Sequence, residues 1–550
     1  MLLIEGNNIK KSFADRQILD IENLKIYSED RIGIVGVNGV GKTTLINILC
    51  KRLEPDEGYI KIYGNYSYIS QLEGPENLRI SDEMASKFNI SHTWTDNMSG
   101  GEKTRFKLAQ ALSENSPLVF ADEPTSNIDI EGIELLERSF QEYKGALVLI
   151  SHDRSFLDKL CNKIIELEDG KIKIYKGNYS DYIEQKAKEK ERAQFEYEEY
   201  VKEKKRLQNI IIDTKQKVKS MKKTPKRMGN SEARLHKMGN QKAKANLDRA
   251  ARALEKRIEH LEVKEKPREE EIITLDIKES SKLHSKIVME GKNISKSFGK
   301  KVIFNNAEFS IFNNSKVALL GPNGCGKSTL IKMIMNENDD KFIKVAKGAK
   351  IGYFSQDMSI LNEDLTIIEN VMEESIYDET FARILLAGLL IKREDIYKKV
   401  RVLSGGEKVK VSFAKMLLKD INLLILDEPT NYIDINSLEV VEKVLKDYKG
   451  TILFVSHDRR FIEALADTIM TIENYKINMF RGNYKEYLAS KKQAKNDSKK
   501  DIKNQIFILQ NRITEVIGRL SMPSKKDKVE ELDKEYKELL AKLKELKSRI

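Results

Sequence analysis

The sequence predicts an α/β protein with two P-loop domains joined by a long α-helical hairpin and followed by a C-terminal helical hairpin. Three observations carry that reading. The chain repeats itself over most of its length; each copy holds a glycine-rich loop between an apolar strand and a helix; and the stretches between and after the copies are Lys/Glu-rich, glycine-poor and apolar at helical spacing.

The repeat can be followed residue by residue. Lys11, Ser12 and Phe13 match Lys296, Ser297 and Phe298, Gly36 to Thr44 match Gly321 to Thr329, and Gln71 matches Gln356, all at an offset of 285. Beyond the glutamines the offset becomes 305: Ser99-Gly100-Gly101-Glu102-Lys103 matches Ser404 to Lys408, Asp122-Glu123-Pro124-Thr125 matches Asp427 to Thr430, Ser151-His152-Asp153-Arg154 matches Ser456 to Arg459, and Gly177-Asn178-Tyr179 matches Gly482-Asn483-Tyr484. The second copy therefore holds 20 additional residues between its glutamine and its serine. These landmarks divide the chain into a first domain over 1–183, a helical hairpin over 184–285 with its tip near 215–244, a second domain over 286–490 and a C-terminal hairpin over 491–550.

In the first hairpin Leu247, Ala250, Leu254, Ile258 and Leu261 form the apolar stripe, and Pro225, Gly229 and Gly239 mark the turn. In the second, Ile502, Ile506, Leu509, Ile513, Val516 and Leu520 step by 4 and 3, Met522-Pro523-Ser524 interrupts, and Val529, Leu532, Tyr536, Leu539, Leu543, Leu546 and Ile550 resume, which is coiled-coil spacing.

Composition narrows the classes open to the chain. Its 550 residues, 40% hydrophobic and 33% charged, suffice for two or three domains with real cores. No run approaches the roughly 20 apolar residues of a membrane span and the N-terminus lacks a long apolar core, so a cytoplasmic protein is expected. Cys50, Cys161 and Cys325 are far apart, which supports neither a disulfide framework nor a zinc site. The net charge of +11 is unevenly spread. Between Lys215 and Lys244 lie eleven cations, namely Lys215, Lys217, Lys219, Lys222, Lys223, Lys226, Arg227, Arg234, Lys237, Lys242 and Lys244, against the single acid Glu232. A one-signed tip on a rigid stalk suits the phosphates of RNA, with a solvated hairpin as the alternative.

The chemistry sits in the paired motifs. Gly36, Asn38, Gly39, Gly41, Lys42, Thr43 and Thr44 follow the apolar strand Arg31 to Val35, and Gly321, Asn323, Gly324, Gly326, Lys327, Ser328 and Thr329 follow Ser315 to Leu320. Glycines let backbone N–H groups close on phosphates, a helix N-terminus adds positive potential, the lysine neutralises charge and the hydroxyl ligates Mg²⁺. Apolar runs deliver Asp122-Glu123 and Asp427-Glu428 beside these loops, so that one acid can hold Mg²⁺ and the next can polarise an attacking water as general base.

The order loop, glutamine, SGGEK, DEPT, SHD resembles the ATP-binding-cassette ATPases, over both copies. The resemblance implies two cassette folds hydrolysing ATP with Mg²⁺. It also implies that Ser99, Gly100 and Gly101 contact the ATP of the second loop and Ser404, Gly405 and Gly406 that of the first. Gln71 and Gln356 join Thr43, Asp122, Ser328 and Asp427 around Mg²⁺, His152 and His457 face the γ-phosphate beside the catalytic Glu123 and Glu428, and Phe13 and Phe298 stack on adenine. As isolated residues these phenylalanines read rather as strand core and these histidines as surface or core polar groups; only their place in the motif series favours ATP. After Asp-Glu-Pro-Thr, Ser126-Asn127-Ile128-Asp129 and Asn431-Tyr432-Ile433-Asp434 depart from the Asn-His-Leu-Asp common in soluble tandem relatives.

Tandem cassettes without spans, a charged hairpin and the paired Gly-Asn-Tyr-x-x-Tyr motif (Gly177 to Tyr182, Gly482 to Tyr487) are similar to the ABC-F proteins. That resemblance implies a monomer whose cassettes form an intramolecular ATP sandwich, docked in the E site of the 70S ribosome against 23S rRNA and P-site tRNA, with neither DNA nor membrane as partner. The interval from Gln71 to Ser99 is too short for the arm that one branch inserts there. The chain thus resembles the resistance branch that acts against lincosamides, pleuromutilins and streptogramin A. Lys215, Lys219, Lys222, Lys223, Lys226, Arg227, Arg234 and Lys237 are the RNA-binding candidates, and Met221, Met228, Leu235 and Met238 the drug-range candidates. A drug-independent translation factor, a transporter's ATP subunit and a DNA-repair ATPase are the rival readings.

Overall fold

A computed structural model describes residues 1–550 other than 15, 71–73, 76, 97, 115, 127, 221–229, 265, 267–282, 336–340, 355–359, 392–393, 431–432, 494–508, 511–512, 514–515, 518–528 and 548–550. Two compact units emerge: one holds Met1–Glu76, Leu108–Pro124 and Glu137–Ile273, the other Asn77–Lys107, Thr125–Leu136 and Thr274–Ile550. The repeat boundary at 285 is thus not the packing boundary. Two segments of the first repeat, 77–107 and 125–136, belong to the unit of the second.

The first repeat runs β1 (Leu2–Phe13), β2 (Arg16–Tyr27), β3 (Arg31–Val35), α1 (Lys42–Leu49), β4 (Glu57–Ile62), β5 (Ser67–Ile69), α2 (Asp82–Phe88), α3 (Gly100–Ser113), β6 (Leu118–Asp122), α4 (Ile130–Glu142), β7 (Ala146–Ile150), α5 (Arg154–Leu160), β8 (Lys163–Glu168) and β9 (Lys171–Lys176). One sheet has the order β5-β6-β7-β3-β8-β9, parallel except for β9, and a second, antiparallel sheet has the order β2-β1-β4. Strands β3, β6 and β7 are near-continuous apolar runs because both their faces are covered. Leu45, Ile46, Ile48 and Leu49 of α1 join the same core as Leu118, Phe120, Val148 and Ile150. Burying each such side chain contributes about 1.5–3 kcal/mol.

The hairpin follows as α6 (Tyr179–Ser220) and α7 (Asn230–Glu259). Leu207, Ile211 and Ala251 are its buried seam, and Lys215–Glu255 (2.7 Å) and Arg257–Glu203 (3.4 Å) bridge the two helices. Two expectations need correction. Gly239 does not break the chain, since α7 runs through it; the roughly 1 kcal/mol cost of one glycine is absorbed by good helix formers around it. Ala250 is exposed and Ala251 is buried in its place, because the seam steps by 4 and 3 through Leu247, Ala251, Leu254 and Ile258. Pro225 and Gly229 lie outside the described residues.

The second repeat mirrors the first with β10 (Ile287–Phe298), β11 (Lys301–Phe312), β12 (Lys316–Leu320), α8 (Lys327–Met335), β13 (Ile343–Val345), β14 (Ile351–Phe354), α9 (Ile367–Met372), α10 (Glu379–Gly388), α11 (Gly405–Leu417), β15 (Leu423–Asp427), α12 (Ile435–Asp447), β16 (Thr451–Val455), α13 (Arg459–Leu465), β17 (Thr468–Glu473) and β18 (Lys476–Arg481). Its sheets have the same orders, β14-β15-β16-β12-β17-β18 and β11-β10-β13. The 20 additional residues fall in the stretch that holds α9 and α10, where the first repeat has α2 alone. Of the C-terminal hairpin, Val529–Lys547 is helical and Ile513 and Val516 are buried, while Ile502, Ile506, Leu520, Met522, Pro523, Ser524 and Ile550 lie outside the described residues. No described helix is long and apolar enough to cross a membrane.

One buried ion pair fixes the second repeat internally. Lys410 Nζ of α11 lies 2.6 Å from Asp434 Oδ2, with both side chains out of solvent, and Ser437 donates to Asp434 from its N–H (3.0 Å) and its hydroxyl (3.1 Å). Burial alone raises the pKa of Asp434, but Lys410 and Ser437 outweigh it and hold the carboxyl below its ordinary range. Lys410→Met keeps the aliphatic stem but strands the carboxylate. It is expected to lower stability in urea unfolding by about 3 kcal/mol, whereas Lys410→Arg, the residue type of the matching Arg105, retains most of it.

Candidate active sites

Three strand ends bring each site together. In the first repeat β3 opens into the P-loop, β6 ends on Asp122 and β7 leads to Ser151 and His152, all at the carboxyl edge of one parallel sheet. The loop needs backbone that side chains resist: Gly36, Gly39 and Gly41 have φ of 155°, 76° and 109°, and Gly321, Gly324 and Gly326 repeat them at 155°, 78° and 114°. A Cβ on Gly41 would lie 2.5 Å from Ile18. Helix α1 begins at Lys42, which puts the N–H groups of Lys42 and Thr43 in its first turn. Lys42 Nζ donates to Gly36 O (2.8 Å) and Val37 O (3.2 Å); Lys327 Nζ donates to Gly321 O (2.7 Å) and Pro322 O (3.2 Å).

The acids sit where the motifs predict. Burial pushes Asp122 up to about 6, opposed by the Thr43 hydroxyl that bonds it, and raises Asp427, opposed by Lys327, Lys332 and the Ser328 hydroxyl. Buried carboxylates short of counter-charge, each bonded to a P-loop hydroxyl, fit a hard divalent cation. Glu123 and Glu428 take left-handed backbone, φ 49° and 51°, costly for a residue with a side chain. Their N–H groups donate to Ile150 O (2.9 Å) and Val455 O (3.0 Å), which aims the side chains at the histidines. His152 Nε2 lies 3.3 Å from Glu123 Oε1, and His457 Nε2 lies 3.1 Å from Glu428 Oε1. Burial lifts Glu428 up to about 7 and lowers His457 to about 4, so the imidazole is neutral at pH 7.

The SGGE motif gains a physical meaning beyond the sequence reading. Ser404 and Glu407 form a full capping box at the start of α11. Ser99 repeats it on α3, its N–H donating to Glu102 Oε2 (2.8 Å) and its hydroxyl accepting from the Glu102 N–H (3.3 Å). Glu102 and Glu407 thus position the signature serines, and the S-x-x-E spacing was the signal for it. A Cβ on Gly405 would meet no atom within 4 Å, so the start of α11 stands open to a ligand. Phe13 and Phe298 end their strands 51% and 58% exposed, which disposes of the strand-core alternative and leaves a ring face for stacking. Gln71 and Gln356 lie outside the described residues, as do Asn127, Asn431 and Tyr432.

The sequence named Asp129 without a role, and the structure gives it one. Within the second unit its Oδ2 accepts the Asn323 N–H at 2.9 Å and its Oδ1 accepts the Gly132 N–H at 2.9 Å. Its repeat mate Asp434 instead faces Lys410. The repeat register marks both aspartates, but nothing local in sequence distinguishes them.

At the hairpin, Lys219 is exposed at the end of α6, and Lys215 is exposed but paired with Glu255. Met221, Lys222, Lys223, Lys226, Arg227 and Met228 lie outside the described residues. The backbone places Arg234, Leu235, Lys237 and Met238 on the first turns of α7.

Two cassette sheets with P-loops, buried Asp-Glu strand ends and capped signature helices define an ATP-binding-cassette ATPase. Family models described as ABC transporter match residues 19–78, 73–126 and 304–431, and residues 165–242. Among curated relatives, the erythromycin resistance ATP-binding protein MsrA of Staphylococcus epidermidis is 33% identical over 84% of this chain and 96% of its own. The ribosome protection protein VmlR of Bacillus subtilis is 30% identical over 99% and 98%. Among solved structures, the archaeal ribosome recycling factor aABCE1, in complex with the stalk protein aP1, matches with a TM-score of 0.58 at 19% identity, covering 88% of this chain and 92% of that one. This last likeness concerns the fold. The chain belongs to the ABC-F family of tandem ATP-binding cassettes, and it is an ATP hydrolase.

Asp129 generates a prediction for the second site. In a Glu123→Gln background, where turnover comes from the second site, Asp129→Ala is expected to raise KM for ATP roughly tenfold through loss of one charge-assisted hydrogen bond to the P-loop. Steady-state kinetics over a range of ATP concentrations measure it.

Proposed function

We propose that this ATPase binds the ribosome in its ATP-bound form, docks in the E site, and extends its interdomain hairpin toward the peptidyl-transferase centre to dislodge antibiotics. The observation that carries the reading is the one-signed charge of residues 215–244, placed by the sequence at the turn between α6 and α7. The full-length match to a ribosome protection protein and a resistance protein supports it. The partners are 23S rRNA and P-site tRNA, and the compartment is the cytoplasm. Lincosamides, pleuromutilins and streptogramin A are the drug classes proposed, with Met221, Met228, Leu235 and Met238 as tip residues.

In each site the first-turn N–H groups of α1 or α8 and the lysine hold the ATP phosphates. Lys42 and Lys327 leave their own loop carbonyls to do so. Thr43 with Asp122, and Ser328 with Asp427, would hold Mg²⁺, which supplies charge neutralisation on the phosphates. Glu123 and Glu428 accept the proton of the attacking water, and His152 and His457, bonded to them, fix their orientation. Ser99 to Gly101 and Ser404 to Gly406 present helix N-termini to phosphate, and Phe13 and Phe298 stack on adenine. Hydrolysis then removes the ligand that favours the docked state.

The test is the Glu123→Gln/Glu428→Gln variant pelleted with 70S particles. Turnover is expected to fall at least about 100-fold while the protein stays ribosome-bound in ATP; prompt release in excess ATP refutes the reading. Reversing Lys222, Lys223, Lys226 and Arg227 to glutamate is expected to weaken ribosome binding and flatten its salt dependence. Growth on lincomycin and tiamulin separates drug protection from drug-independent relief of stalled ribosomes.

A further inference from the structure

The Gly-Asn-Tyr-x-x-Tyr motif occurs in both repeats, and ATP chemistry uses neither copy. Its local role is clear. Asn178 and Asp181 exchange hydrogen bonds (Asn178 N–H to Asp181 Oδ2, 3.0 Å; Asp181 N–H to Asn178 Oδ1, 2.9 Å), which caps α6, and Asn483 and Glu486 do the same at 3.0 Å each. Gly177 takes φ 108°, and a Cβ there would lie 2.4 Å from Asp181 Oδ2. The tyrosines then go different ways in the two copies.

In the first copy they close on a buried carboxylate. Glu166 of β8 accepts from the Tyr182 hydroxyl (2.7 Å) and the Lys186 ammonium, and the Tyr175 hydroxyl lies 3.3 Å away. The Tyr175 hydroxyl donates at 3.1 Å to Glu189, which ties the third turn of α6 to β9. Burial, then the charge of Glu166, raises the pKa of Tyr182 well above the ordinary phenol, so its hydroxyl stays a donor. Glu166 stands opposite Val35 in the β3–β8 register, and Val35 is the last residue before the P-loop glycine Gly36. Tyr182 and Lys186 lie in the first two turns of the 42-residue helix α6. One carboxylate therefore ties β8, the strand paired with the P-loop strand β3, to the base of the hairpin.

The second copy is an internal control. Thr471 stands at the matching place, opposite Leu320, and Phe480 replaces Tyr175. Tyr487 pairs with Lys491, and Lys491 with Glu473 (3.3 Å) at the strand end, away from Thr471. A motif needed only to seat a helix would be served by the second arrangement. The first adds a charged network, with Tyr182 and Lys186 donating to one buried acid, at the copy that leads into α6.

We propose that Glu166, through Tyr182 and Lys186, is a positioning residue that couples nucleotide occupancy of the first P-loop to the base of α6, and that the second repeat has no equivalent coupling. This inference rests on the ATPase activity and on the fold, and it stands or falls independently of ribosome binding.

Hydrogen exchange on the full-length protein tests it, in the Glu123→Gln/Glu428→Gln background with and without ATP. Exchange over residues 179–200 is expected to slow roughly threefold or more with ATP in that parent, and the ATP response to vanish in Glu166→Gln and in Tyr182→Phe. The same substitutions in the otherwise unaltered protein should leave kcat and KM for ATP within about twofold. Tyr487→Phe should leave the response over 179–200 intact. Should Glu166→Gln fail to fold, Tyr182→Phe, which deletes one oxygen, decides alone. A parent that shows no ATP response in α6, a response that survives Tyr182→Phe, or equal loss in Tyr487→Phe overturns the proposal. Loss of ribosome pelleting with the exchange pattern preserved counts against the ribosome reading and leaves this one standing.

Discussion

The parallel register of β3, β6 and β7, with its counterpart in β12, β15 and β16, is the constraint on which the rest of the molecule depends. Because these strands run the same way, their carboxyl ends open on one edge, and lysine, aspartate, glutamate and histidine converge there. Their burial on both faces demands the apolar runs that make them visible in sequence. The same burial leaves acids at the strand ends poorly solvated, so Asp122, Asp427 and Glu428 sit in a region that raises their proton affinity. Stability and chemistry thus have one origin.

Strain is placed just as economically. Glu123 and Glu428 both sit in left-handed backbone, tied by their N–H groups to the ends of β7 and β16. Sheet pairing holds the unfavourable φ, and the reward is a carboxylate aimed at a histidine whose own neutral state is enforced by burial in the second site. The two sites match closely in loop dihedrals and differ in what surrounds them: Asp129 bonds a P-loop amide, Asp434 is sealed against Lys410, and Glu166 has become Thr471. The two repeats thus share their loop geometry and differ in the connections around it.

Much of this was legible beforehand. Strand limits at Arg31–Val35 and the strand exit at Asp122 follow from apolar runs bounded by glycine and acid, and the repeat offset located every motif twice. Features set by tertiary contact were not legible. Gly239 looks like a turn because local propensity counts it so, yet the hairpin carries α7 through it. Ala250 and Ala251 are interchangeable to a periodicity argument, and only the partner helix chooses between them. The exposure of Phe13 and Phe298 could not be read from two phenylalanines in strands; it depends on where β1 and β10 end relative to their neighbours. Asp129 shows the same limit, since its bond to Asn323 joins residues 194 positions apart.

The 42 residues of α6 make a lever. At 1.5 Å of rise per residue an unbroken helix of that length reaches about 63 Å. One degree of tilt at Tyr182 sweeps the far end through about 1 Å. A tilt of a few degrees at the base thus moves the far end of α6 by a few ångströms, a gain set by helix length.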